Sequence, residues 1–536
     1  MDPLFEKICL VAFLLLMAAP GVYGVHLYAL MWLAMRRRKS VRAQQSELVA
    51  RYQRSTPAQK WPRVTTQLPI FNEPAVAERV IRAIAAFDYP RDLHEIQVLD
   101  DSIDETRTLV DRVCAELKAD GFDIRVIRRS DRRHFKAGAL AHGLEQSSGS
   151  YIAIFDADFV PQPDFLRRLI PLIEECPDAC CVQGRWGHLN RGESWMTQAL
   201  ALGMDGHFGV EQGARGWNGF LLNFNGTAGI WRREAIVDPR VGGWSGDTIT
   251  EDLDLSYRAQ LAGWKILYSD QVVAPAEIPA DAPALKAQQR RWATGSIQTA
   301  RKLLPRVWRS DLTWLQKIEA TIHLTQYAVN FFMVLMILLG RPLLWFVPLE
   351  LYKDWMELGF FVVLIAAGAP SIAYVYARWA LDRVATGPVQ ILKLVCLGLG
   401  LSLNNSISVL AGLVQRGGEF VRTPKSGSTG QGGRPITHNS IRTNLWIYEL
   451  LLGALCLFQW AYFLRADRFV GGTFLLLYAI GLISLGWSSR PRIARAGVRD
   501  AEATVAAPSA YVDPGAGIVD SPAPATLAAS ADSPSR

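Results

Sequence analysis

Six apolar runs constrain any fold this chain can adopt. They lie near 8–35, 321–347, 357–379, 389–414, 444–465 and 469–487. Each is close to the ~20 residues that a helix needs to cross a bilayer. A polar stretch, 36–320, separates the first run from the rest. The chain must therefore fold a water-facing insert between membrane helices.

Charge placement orients these runs. The net charge of +7 is not gathered on one face of a domain, which argues against nucleic-acid binding. Positive residues cluster beside apolar runs, as in Arg36-Arg37-Arg38-Lys39. The first run is too long for a signal peptide and lacks a short cationic lead. It reads as an anchor, residues 1–35, with its N-terminus outside and the insert cytoplasmic. The run 389–414 is flanked by Arg378 and Arg383 on one side and by Arg416, Arg422, Lys425, Arg434 and Arg442 on the other. Both ends then belong to the cytoplasm. The run also carries Ser402, Asn404, Asn405 and Ser406, poor partners for lipid. It reads as an interfacial or re-entrant helix, which leaves five spans in a cell-membrane protein. The tail 488–536 starts basic (Arg490, Arg492, Arg495, Arg499) and turns Ala/Pro/Ser-rich, so disorder is expected from about 500. The Arg495–Arg499 spacing has no following domain and is read as chance. Seven scattered cysteines, with Cys180-Cys181 adjacent and no Cys-x-x-Cys pair, exclude a disulfide framework or zinc site and suit a reducing compartment.

The insert alternates strands and helices. Strands are expected at Val64–Ile70, Glu95–Leu99, Ile124–Arg128 and Tyr151–Phe155. Helices are expected at Ala75–Phe87, 104–119, Ala137–Gln146 and Phe165–Glu175. This order predicts an α/β domain with a parallel sheet, whose ligands bind beyond the strands' carboxyl ends. Two acidic motifs sit at such ends.

Asp156-Ala157-Asp158 follows an apolar strand. Alternation in extended chain would aim both carboxylates one way, a fit for Mg²⁺ or Mn²⁺ shared with a diphosphate. Turn and cap aspartates would produce the same tripeptide. Asp100-Asp101-Ser102 could hold a base, a ribose or the metal, or could simply cap its strand. Thr250-Glu251-Asp252 opens a helical pattern, Leu253–Ala262. Thr250 reads as the N-cap there, and Asp252 as either a dipole-stabilised first-turn acid or a general base. Gln288-Gln289-Arg290-Arg291-Trp292 lies in a basic helical stretch, 286–306, within interfacial amphipathic helices expected over 286–320. Its indole can stack on a sugar and its guanidinium can meet phosphate. Asn225-Gly226-Thr227 matches a glycosylation acceptor, but the topology keeps it in the cytoplasm.

In this order and spacing the motifs resemble family 2 glycosyltransferases of the cellulose synthase and cellulose synthase-like type, over roughly residues 60–490. Further matches carry the likeness. Leu68-Pro69-Ile70-Phe71-Asn72-Glu73 looks like the family's nucleotide-binding opening. Phe135-Lys136-Ala137-Gly138 would place Lys136 near the donor diphosphate. Phe224-Asn225-Gly226-Thr227 is similar to the acceptor loop. Phe420-Val421-Arg422-Thr423-Pro424-Lys425 is similar to the gating loop, with Arg422 where the family has Val. Asn-Phe-Asn-Gly-Thr at 223–227, with the Gln-Gln-x-Arg-Trp form, looks like the glucomannan 4-beta-mannosyltransferase branch.

The resemblance implies a GT-A domain, 36–285, inserted between transmembrane helices, and a membrane domain over 321–487 with a gating loop at 415–430. It implies an inverting, Mg²⁺- or Mn²⁺-dependent enzyme that builds a β-linked glycan from UDP-glucose or GDP-mannose. The alternative is a glycolipid synthase using a lipid acceptor. Asp252 would be the base, with Glu251, Gln288, Arg291 and Trp292 beside it. Pro69, Asn72, Glu73, Asp100, Asp101, Lys136 and Asp156 would bind the nucleotide sugar, and Asp156 and Asp158 the metal. Phe224, Asn225, Gly226, Thr227 and Trp292 would meet the acceptor. Phe420, Thr423 and Lys425 would close over the donor. Export partner proteins are left open.

Overall fold

The computed structural model describes residues 3–346, 353–418, 427, 444–465 and 469–491. The chain divides into a unit Met1–Arg490 and a unit Pro491–Arg536. Beyond Pro491 the second unit lies outside the described residues, as do Phe420, Arg422, Thr423 and Lys425 of the expected gating loop and the tail expected to be disordered.

The strands are β1 (Val64–Ile70), β2 (His94–Asp100), β3 (Asp123–Ile127), β4 (Tyr151–Ile154), β5 (Ala179–His188), β6 (Gly229–Arg232) and β7 (Lys265–Ala276). They form one sheet in the order β3-β2-β1-β4-β6-β5-β7. The first four run parallel as expected. β6 is antiparallel to both β4 and β5, so the sheet is mixed, mostly parallel. The chain reverses strand order at β1, whose neighbours are β2 and β4. In open α/β sheets that crevice takes the ligand.

Helix α1 (Pro3–Ser55) leads in. Helices α2 (Pro74–Ala85), α3 (Thr106–Ala119), α4 (Phe135–Glu145) and α5 (Phe165–Glu174) alternate with the strands where the sequence predicts them. Then come α6 (Trp195–Gly206), α7 (Gln212–Trp217), α8 (Arg233–Val237) and α9 (Glu251–Leu261). Helix α2 shows the logic: Val76, Val80, Ile81 and Ile84 are buried on one face, and Pro74 sits in the first turn, where its missing N–H is harmless. Phe165 of α5 stacks on Phe87 at 6.2 Å and meets Phe155 edge-on at 5.0 Å. Truncating it to Ala should cost about 3–5 kcal/mol. β1 is buried at every position although it carries Thr65, Thr66 and Gln67. Each finds a cross-strand partner on β2: Glu95 (2.7 Å), His94 (2.8 Å) and Gln97 (3.0 Å). A strand covered on both faces needs such pairing.

The remaining helices are α10 (Ala282–Arg309), α11 (Trp314–Thr325), α12 (Ala328–Trp345), α13 (Lys353–Asp382), α14 (Pro388–Gly400), α15 (Ser402–Val414), α16 (Leu445–Arg465) and α17 (Phe469–Ser489). By length and composition, α1, α16 and Gly472–Ser489 of α17 could each cross a membrane. Counting two bent pairs raises this to as many as five: α11 with α12 (63°) and α14 with α15 (42°).

Two elements run differently from the sequence pattern. The helix that opens the chain does not stop at residue 35, because α1 continues unbroken to Ser55. Its polar continuation is held by the insert: Arg42 forks onto Asp270 (2.9 Å), and Tyr52 enters the sheet's core. The run 389–414 is two helices rather than one. Its Ser402, Asn404, Asn405, Ser406 and Ser408 are buried, and part of that polar face lies against α10. Asn404 donates to the Lys286 carbonyl (3.3 Å), and Thr294 donates to the Ser408 carbonyl (3.1 Å). Part of this polar face thus serves a helix contact, in a bent pair of helices of the kind that a broken span or a re-entrant loop forms.

Candidate active site

A cleft opens at the carboxyl ends of β1 and β4. Pro69 ends one wall and Asp156 and Asp158 another. Asn225-Gly226, Glu251-Asp252, and Gln288, Arg291 and Trp292 complete it. Segments distant in sequence therefore converge as expected.

Local geometry explains the convergence. β4 ends at Ile154, and Ala157-Asp158 turn. Strand alternation is thus not what aims the two carboxylates, although both line the cleft. The Asp156 N–H donates to Thr227 Oγ1 (2.9 Å). Lys136, in the first turn of α4, donates to Asp156 Oδ1 (2.5 Å) and to the Gly226 carbonyl (2.8 Å). Gly226 has φ of +79°, and a Cβ there would fall 2.9 Å from Asp252 Oδ2. The loop needs glycine on both counts. Thr250 precedes α9 but does not cap it with its side chain, contrary to expectation. Its hydroxyl faces Thr299 of α10 (3.4 Å), where Gly295 lets the helices meet. Asp252 Oδ1 accepts the Leu253 N–H (2.8 Å). Gln288, Arg291 and Trp292 follow the three- and four-residue spacing of one helix face, and α10 is N-capped by Asp281.

The electrostatics are unbalanced. Glu73, Asp156, Asp158, Glu251, Asp252 and Glu277 line the cleft together with Lys136 and Arg291, and Glu277 is paired with Arg79 (2.6 Å). Burial raises the Asp252 carboxyl to about 6, against the pull of Lys136. Burial and the neighbouring Asp252 charge likewise raise Glu251. Burial opposes the charge on Lys136, but Asp156 and Glu251 outweigh it and its pKa rises. Burial lowers Arg291, with Asp156, Glu251, Asp158 and Asp252 working the other way. Perturbed carboxyls in a cleft are the usual mark of a reaction site. Among the described residues no cluster of three or more His, Cys, Asp or Glu forms a protein cage for a metal. Asp156 and Asp158 offer two hard carboxylate ligands, the set that binds Mg²⁺ when substrate phosphates complete the shell.

Several expected residues sit elsewhere. Asp100 does not line this cleft; its Oδ2 pairs with Arg128 (2.8 Å) and its Oδ1 accepts the Ser102 N–H (3.0 Å). Asp101 is forked by Arg129 and borders a small pocket with Pro69, Phe71, Arg132 and Phe135. Asn72, at a φ of 49°, binds the Ile103 N–H (2.9 Å) and so joins two strand-end loops. Phe224 is core, packed edge-on against Trp231 at 5.7 Å. Thr227 is buried and supports Asp156 rather than facing the cleft. Phe159, Trp186, Met204 and Ile278 line the cleft without having been foreseen. The one available hint was Trp186, a large indole between residues of a glycine-bearing strand, Gly184 to Gly187.

The crevice thus gathers paired carboxylates, a half-buried candidate base and facing cations at the carboxyl ends of the strands, an arrangement suited to group transfer. The model of the glycosyltransferase-like family 2 matches residues 62–295. Glucomannan 4-beta-mannosyltransferase 7 of Arabidopsis thaliana is 32% identical, over 80% of this chain and 76% of its own. Glucomannan 4-beta-mannosyltransferase 2 of the same plant is 34% identical over 70% of each chain. A solved mannosyltransferase of Pyrobaculum calidifontis, in complex with GDP-Man and Mn²⁺, aligns with a TM-score of 0.39 at 20% identity, covering 72% of this chain and 98% of its own. The chain belongs to glycosyltransferase family 2, in its cellulose synthase-like branch, and is a hexosyltransferase that synthesises glycan.

Proposed function

We propose that this enzyme is an inverting, metal-dependent membrane glycosyltransferase, with its catalytic domain in the cytoplasm, that polymerises a β-linked glycan and passes it across the membrane. Glucan, mannan and glucomannan all fit the cleft chemistry. The names of the plant relatives favour a mannosyl donor, hence GDP-mannose over UDP-glucose.

The observation that carries the reading is the Asp252 carboxyl, half-buried in the cleft, raised to about 6 and facing the loop at Gly226. As a base it takes the proton of the acceptor hydroxyl. The hydroxyl oxygen bonds to the sugar's anomeric carbon as the bond to the diphosphate breaks on the opposite face, which inverts that centre. Arg291 and Lys136, both lining the cleft, would stabilise the departing negative charge. A Mg²⁺ or Mn²⁺ held by Asp156 and Asp158 would neutralise part of that charge. Trp292 offers an apolar face to the acceptor.

The test is a donor screen on purified protein with Mg²⁺ or Mn²⁺, followed by sizing of the product and digestion with linkage-specific hydrolases. Long β-linked chains from one donor are expected. A product of one sugar on a lipid would overturn polymerisation.

A further inference from the structure

The side-chain amide of Asn225 is fixed at one end and unsatisfied at the other. Its Oδ1 accepts from Asn223 Nδ2 (2.9 Å) and faces His207 Nε2 at 3.2 Å. With Asn223 donating to that oxygen, the imidazole nitrogen must be a donor as well. Asn225 Nδ2 is buried and has no hydrogen-bond partner, yet the residue lines the cleft. A buried donor in that position calls for an acceptor atom from a ligand.

His207 is placed by an unusual piece of backbone. It opens a π-helical turn, His207–Glu211, between α6 and α7. Such turns tend to occur where a fold must aim a functional side chain. The carbonyls of Phe208 and Gly209 within it are taken by the Tyr268 hydroxyl (2.6 Å) and by Arg38 of α1. Gly206, just before the turn, lies so close to α13 that a Cβ would fall inside the Tyr374 ring. Behind the imidazole, Nδ1 faces Glu211 Oε2 at 3.6 Å. Glu211 also accepts from Arg215 Nη1 (3.1 Å), and Arg215 Nε donates to Glu319 of α11 (2.6 Å). Burial works against the Glu211 charge, but His207 and Arg215 outweigh it and hold its pKa low.

We propose that His207 is a positioning residue for the acceptor sugar: held by Glu211 and Arg215, it fixes the Asn225 amide so that Nδ2 points to a sugar hydroxyl oxygen in the cleft. The sequence motifs do not include His207. Its role rests on the glycosyl-transfer reading, because its effect falls on the second substrate. When the acceptor is poorly held, water takes its place. Water's oxygen then bonds to the anomeric carbon, its proton goes to Asp252, and the diphosphate leaves as before. The partition of donor between glycan and free sugar therefore reports on His207.

The test uses full-length protein in detergent or nanodiscs, with whichever of GDP-mannose or UDP-glucose it turns over. In His207→Leu the ratio of free to glycan-bound sugar should rise about tenfold, the effect of one strong hydrogen bond. Asn225→Asp, which offers no N–H, should match it, and the double variant should add little. His207→Gln, which can still donate, should return the ratio to within about threefold of wild type. Nucleotide affinity and thermal midpoint, measured alongside, separate this from unfolding. If His207→Leu does not fold, Asn225→Asp and His207→Gln decide between them. An unchanged ratio in folded Asn225→Asp, or a Gln variant as defective as Leu, overturns the assignment. If the wild-type protein turns over no nucleotide sugar, the glycosyltransferase reading itself is what fails.

Discussion

Two acidic motifs look alike in the sequence, each a pair of aspartates after an apolar strand, and the fold treats them in opposite ways. Asp100 and Asp101 are each met by an arginine: Arg129 for Asp101, and Arg128 for Asp100, which shares it with Asp111. Asp156 and Asp158 instead join Glu251 and Asp252 around Lys136 and Arg291, so that carboxylates outnumber cations. Neutralised carboxylates hold loops in place. Surplus carboxylates hold a base in reserve and attract a divalent cation. The comparison predicts where substitutions break chemistry and where they break structure.

The largest effect should come from Asp252→Asn. The amide keeps the shape and cannot take the acceptor proton, so transfer should fall by about 10²–10⁴. Nucleotide affinity should stay within a few-fold, because the proposed role of this carboxyl is toward the acceptor. Label incorporation into polymer and nucleotide titration measure the two quantities. Near-normal turnover would remove Asp252 as the base. Next in size is chelation. Stripping divalent cations should lower transfer about a hundredfold, with recovery on adding Mg²⁺ or Mn²⁺. In Asp156→Ala the recovery should need more metal. A chelated enzyme at full rate would make the surplus charge a matter for Lys136 and Arg291 alone.

A smaller effect is set by pH. The Asp252 pKa is raised, so the base is charged, and active, only above it. Transfer at low donor concentration should be flat above about pH 6 and fall about tenfold per unit below. Burial causes the rise and the Lys136 ammonium opposes it. Lys136→Met should therefore move the acid limb to higher pH, and Asp101→Asn should leave it in place. A limb that moves equally in both variants would mean the two acidic motifs are electrically one site.

Much of this was legible in the sequence. The alternating pattern reports local burial, and β1 to β4 with α2 to α5 appear where it places them. The cleft's Asp156, Asp158, Glu251, Asp252, Gln288, Arg291 and Trp292 were readable as motifs in order. What pairing does to a charge was not. Arg128 and Arg129 follow β3, and nothing local says that they cross to β2 and neutralise Asp100 and Asp101. The antiparallel β6 is four residues long, too short for alternation to speak. Trp186 and His207 carry no motif, because a tertiary contact brings each to the site. The polar face of α15 was visible, but whether lipid surface or α10 receives it depends on packing.

The smallest effect, and the sharpest control, is Asp100→Asn. Its carboxyl is fully buried, and Arg128 is 28% exposed on its side chain, so solvent screens part of the pair. The amide can still accept the Ser102 N–H. Loss of the charge should cost about 1–2 kcal/mol of stability, seen as a lower thermal midpoint. Transfer per folded molecule should stay within about twofold, the range of ordinary context effects. Asp101→Asn differs in one respect, because Asp101 also borders the small pocket beside Pro69 and Lys136. It should weaken nucleotide binding where Asp100→Asn does not. If Asp100→Asn instead abolishes transfer in folded protein, the arginine pairing does not mark a structural carboxylate, and charge balance loses its value for separating the two motifs.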